Sequence, residues 1–70
     1  MTLQALSGRR LKFLRRRSGM TQEQLAEAAD LSVDQIGCME RGKSAASFDT
    51  LEKLANALHV PVRDLFDFSS

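Results

Sequence analysis

Two capping signatures stand close together in this chain and leave little freedom for what lies between them. Thr21-Gln22-Glu23-Gln24 and Ser32-Val33-Asp34-Gln35 each set a hydroxyl residue three positions ahead of a glutamine, just before an apolar run. In that pattern the hydroxyl accepts from the amide three residues on, and the glutamine side chain reaches back to the cap, so each helix start is specified locally. Leu25, Ala26 and Ala29 follow the first signature, and Ile36 and Met39 follow the second. Only Asp30-Leu31 remain for a turn. Asp30 then falls near a left-handed conformation, which Asp tolerates less well than Gly but better than most residues. Two short helices joined by a three- or four-residue turn are predicted, the layout of a helix-turn-helix.

The rest of the chain is punctuated in the same way. A first helix is predicted from about Leu6 or Ser7 to Arg17, with Leu11 and Leu14 inward and Arg15 beside them. Ser18-Gly19 stops it, and Met20 folds apolar surface back onto the last turn. Arg41-Gly42 ends the third helix, which spans about 32–41. Ser47 caps a fourth helix whose Leu51, Leu54, Ala55 and Leu58 form a helical stripe. Pro61 opens a short fifth helix with Val62, Leu65 and Phe66 inward. The expected fold is all-α: a compact five-helix bundle, one domain over residues 1–70.

Seventy residues cannot hold two independent cores. The single Cys38 and single His59 exclude a disulfide framework and an ordinary zinc site within one chain, so no metal is expected. Cys38 reads best as a small residue at an interface, and His59 as the end of the fourth helix. No apolar run is long enough for a membrane span and no signal peptide is evident, so the expectation is a soluble, intracellular protein. No Ser/His/Asp or Cys/His grouping, Gly-rich phosphate loop or plausible carboxylate pair is present, so neither an enzyme nor a cofactor is expected.

The net charge of +1 conceals a segregation. Residues 1–17 carry six basic side chains (Arg9, Arg10, Lys12, Arg15, Arg16, Arg17) and no acid. Residues 18–40 carry five acids and no base, and Arg41 and Lys43 then restore positive charge. A phosphate backbone meets the local edge of a protein, not its total charge. On the third helix, Ile36, Met39 and Glu40 lie on one side and Val33, Asp34, Gly37, Cys38 and Arg41 on the other. The outward face from Ser32 to Met39 holds no large side chain, where a helix made only for solvent usually carries Lys, Glu or Arg. A plain helical hairpin with a bland outer face is the alternative.

The stretch Gly8 to Phe66 resembles the lambda-repressor-like (Cro/XRE-type) helix-turn-helix domain of bacterial and phage regulators. The matching pieces are Gly8 with Leu11, Leu14-Arg15 and the run Gly19 to Ala26. Leu31-Ser32, Ile36, Met39-Glu40-Arg41-Gly42-Lys43, Leu51, Leu54-Ala55, Leu58 and Asp64-Leu65-Phe66 complete the set. The resemblance implies a double-stranded DNA-binding transcriptional regulator, most simply a repressor. It implies a homodimer on a palindromic operator, forming only on DNA if the contact is weak, in the cytoplasm of a bacterium or phage host. The third helix would read the major groove, Val33, Asp34, Gly37 and Cys38 standing at the positions that touch bases. None is the Arg, Gln or Asn that pairs bidentately with a purine, although Asp34 suits a cytosine N4 and Val33 a thymine methyl.

Gln22 stands where the family contacts a phosphate, at a helix start that also offers free amides. Ser32, Arg41, Lys43 and Ser44 are further phosphate-contact candidates. The resemblance also implies that Arg15 and Glu40 pair, tying the reading helix to the first. The dimer contact is expected in the C-terminal segment, through Leu65, Phe66 and Phe68. A competing reading is a protein-interaction module, or an antitoxin-like protein with a protein partner, that keeps the fold with weak or no DNA binding.

Overall fold

The computed structural model describes residues 1–68. It contains α1 (Leu3–Arg17), α2 (Gln22–Ala29), α3 (Val33–Glu40), α4 (Phe48–Leu58) and a 3-10 helix at Val62–Phe66. No strand occurs among the described residues. The fifth expected helix is therefore a 3-10 turn rather than α-helix. It is only five residues long, and its Asp64 amide bonds back three residues to the Pro61 carbonyl.

Each α-helix starts on a hydroxyl residue, Thr2, Thr21, Ser32 or Ser47, whose side chain accepts from the amide three residues on. The capping boxes at Thr21/Gln24 and Ser32/Gln35 are both complete. The first helix begins at Leu3, earlier than the apolar stripe indicates, because Thr2 captures the Ala5 amide at 3.1 Å. All four α-helices also end alike. The chain turns left-handed at Gly19, Asp30, Gly42 and His59, and the next amide bonds back to Arg15, Ala26, Cys38 or Ala55. Met20, Leu31 and Val60 follow three of these turns and pack against the core.

Four side chains, one from each α-helix, are fully buried at the centre: Leu14, Leu25, Ile36 and Leu54. Around them α1 packs on α3, α2 lies between α3 and α4, and the 3-10 helix closes the gap between α4 and α1. Its Leu65 is buried in the core, and Arg10 donates to the Asp64 carbonyl at 2.8 Å.

The contact of α1 with α3 is a backbone contact. At Gly8 a Cβ would overlap the Met39 carbonyl oxygen and lie 2.8 Å from that of Glu40, so only glycine allows the two helices this close. Gly42 does two things at once. Its φ of +72° makes the turn after α3, and a Cβ there would lie 2.9 Å from the Ala5 Cα of α1. Both glycines thus bring the C-terminal end of α3 and the turn after it close against the α1 backbone.

Candidate nucleic-acid interface

The turn between α2 and α3 is Asp30, Leu31 and Ser32. Asp30 takes the left-handed position at φ 57°, Leu31 anchors in the core and Ser32 caps α3. Ile36, Met39 and Glu40 are buried, which turns Val33, Asp34 and Cys38 outward. Val33 and Asp34 are exposed in the first turn, and Cys38 is half-buried one turn on.

A buried ion pair holds this helix at its far end. Arg15 Nε donates to Glu40 Oε2 at 2.6 Å and Arg15 Nη2 donates to Glu40 Oε1 at 3.1 Å, a bidentate pair with each residue only 8% exposed. Arg15 Nη1 also donates to the Met20 carbonyl at 2.8 Å. Gln22 Nε2 completes the set, donating to Glu40 Oε1 at 3.1 Å. No buried side-chain polar atom among the described residues lacks a partner, so the charges are held without an uncompensated group.

Gln22 was expected only as a phosphate contact. The structure uses one of its amide hydrogens to bring the start of α2 beside the end of α3, which leaves the second for another acceptor. Nothing local in the sequence signals this, because Glu40 lies eighteen positions away. Ser32 likewise spends its oxygen on the Gln35 amide at 3.1 Å and retains a hydroxyl hydrogen.

Gly37, expected among the base-contacting positions, is buried in this structure. A Cβ built on it would meet Arg41 Nη1 at 3.0 Å, and Arg41 Nη2 lies 3.8 Å from Cys38 Sγ. The Arg41 side chain thus runs back along α3 and lies over Gly37. Lys43 and Ser44 are exposed in the following loop, with the Lys43 amide bonded to the Cys38 carbonyl at 2.9 Å.

Taken together, a buried-ion-pair clamp, two capped helices and a small outward face define a helix-turn-helix unit. A helix-turn-helix family model, HTH_3, matches residues 11–65, and the chain belongs to that Cro/XRE-type family. The control protein C.BamHI of Bacillus amyloliquefaciens is 38% identical over 69 residues, covering 97% of this chain and 85% of that protein. A competence pilus inhibition repressor of Acinetobacter baylyi is 41% identical over 59 residues, covering 84% of this chain and 54% of its own length. Among solved structures, the restriction-modification controller C.AhdI of Aeromonas hydrophila superposes with a TM-score of 0.88 at 38% identity. That match covers 90% of this chain and 96% of the controller. These likenesses identify a DNA-binding transcriptional regulator, and the family and its neighbours are regulatory proteins rather than enzymes. No helix among the described residues is long and apolar enough to cross a membrane.

Proposed function

We propose that this protein is a sequence-specific repressor that lays α3 in the major groove of a palindromic operator, acting in the cytoplasm of a bacterium or phage-infected cell. The observation that carries the reading is the outward face of α3, which is small, exposed at Val33 and Asp34, and backed by the Arg15–Glu40 clamp. Val33, Asp34 and Cys38 face base edges. Lys43, Ser44, the Ser32 hydroxyl and the second amide hydrogen of Gln22 hold the phosphates on either side. The repressor assignment is supported by relatives bearing that name, including an immunity repressor of Bacillus phage phi105 at 42% identity over 55 residues.

Base and phosphate contacts fail differently when removed. Lys43→Ala should weaken binding to every sequence and reduce the salt slope by about one unit. Asp34→Asn should change the preferred base, because an acceptor-only carboxylate becomes a group that both donates and accepts. It should also raise affinity for unrelated duplexes by removing a charge that repels DNA. Site selection from a random duplex pool, run on both variants and the parent at one salt concentration, is the test. A parent that enriches no sequence would favour the protein-interaction reading.

Two copies multiply a small set of contacts, provided the recognition helices sit roughly 34 Å apart. Of the residues expected to pair, Phe66 and Phe68 are exposed, and the proposed pairing surface extends from Phe66 to Phe48. Leu65 points into the core, whereas Phe48 is 85% exposed beside an apolar groove of about 260 Å³ lined by Leu3, Ala46, Leu51 and Phe66. Met39 and Ser44 also line the groove, so a second copy seated there abuts the C-terminal end of α3. Phe48→Glu should keep the protein monomeric in sedimentation equilibrium and convert a 2:1 operator complex to 1:1. Unchanged stoichiometry would place the dimer contact elsewhere.

A further inference from the structure

The outward face of α3 lacks a purine-reading residue at the positions from which base contacts are expected, yet the fold delivers one there from the end of the helix. Residues 34, 37, 38 and 41 follow one another at helical spacing, so Arg41 projects from the same stripe as Asp34 and Cys38. Helical side chains lean toward the N-terminus, which carries the Arg41 guanidinium back over the preceding turn. That turn holds Gly37, whose missing Cβ leaves room for Nη1, while Nη2 rests 3.8 Å from Cys38 Sγ. A larger residue at position 37 would displace the guanidinium from the face. A phosphate contact needs none of this, because an exposed Arg in the loop after a helix reaches a backbone by extending away from it.

We infer that Arg41 reads a guanine in the major groove through its O6 and N7 acceptors, seated for that purpose by Gly37 and Cys38. A guanidinium is the side chain that meets this acceptor pair with two parallel N–H donors, and this one is held over the outward face of α3. Gly37 then acts as a positioning residue and not as a base contact itself, and Cys38 holds Nη2 beside it. The inference rests on the reading that α3 enters the major groove, and the test below separates the two.

Site selection and competition binding on the parent, Arg41→Lys, Arg41→Ala and Gly37→Ala decide the matter. The parent should prefer guanine at one position of each half-site. Arg41→Lys keeps the charge but loses the planar fork, so discrimination at that position should fall on the order of ten- to a hundredfold, with other positions unchanged. Gly37→Ala should lose the same preference. Its new methyl meets the tip of a flexible side chain and not backbone, and alanine favours the helix, so its thermal unfolding should be at or above that of the parent. If Arg41→Lys selects the parent's sequence and Arg41→Ala weakens all sequences alike, Arg41 is a phosphate contact and the inference is overturned. A parent that selects no sequence at all overturns the major-groove reading as well.

Discussion

Removing one partner of the Arg15–Glu40 pair should cost about 3–5 kcal/mol, a large share of the 5–15 kcal/mol that holds a typical domain together. In Arg15→Met the Glu40 carboxylate stays buried and keeps only Gln22 as a donor. In Glu40→Leu the guanidinium keeps only the Met20 carbonyl. The double variant removes both charges and fills the site with apolar side chains, so it should recover most of the loss. Met20 and Gln22 are each half-buried, and water can reach the groups freed there. Urea denaturation of the four proteins gives the coupling energy directly. A coupling near zero would mean that the pair contributes no more than an exposed one.

The Gly8→Ala variant should be less stable than the parent by about 1–3 kcal/mol, and Gly8→Val by more. The sign is what makes this informative. Gly8 sits inside α1, where alanine is intrinsically favoured by about 1 kcal/mol, so local propensity alone forecasts a gain. Tertiary contact reverses it. The added carbon meets main-chain carbonyls of Met39 and Glu40 that cannot rotate away, and α1 and α3 must separate to admit it. The core residues Leu14 and Ile36, on those two helices, then lose packing. Equal or greater stability for Gly8→Ala in urea titration would show that the helices slide apart at no cost.

Both variants act on the relation between α1 and α3, the relation that aims the reading helix. The glycine sets how closely the helices approach, and the ion pair sets the rotation at which Glu40 meets Arg15. An Arg buried against a carboxylate in fixed fork geometry is more directional than an apolar pair. The Arg15→Met, Glu40→Leu double variant should therefore fold and yet select operators less sharply than the parent.

What could be read from the sequence was what local bonds dictate. Thr21, Gln24, Ser32 and Gln35 close their hydrogen bonds within one helical turn, so the starts of α2 and α3 follow from four residues at fixed spacing. Gly19 and Gly42 mark the two helix ends they cap, and the stripe of Leu51, Leu54, Ala55 and Leu58 marks the inner face of α4. Resemblance to a known family then supplied the Arg15–Glu40 pairing, which spacing alone does not determine. Four features depended on the tertiary structure. Gln22 joins the ion pair, Arg41 lies over Gly37, Phe48 is left bare while Val62 and Phe66 stay exposed, and Gly8 touches backbone rather than side chains. Three of them rest on partners many residues distant, or on which of two amphipathic faces the neighbouring helices cover. Arg41 is the exception, for its partners are within a turn. Its place depends on a rotamer choice among several that the helix allows, and the absence of a single Cβ at Gly37 is what opens that one.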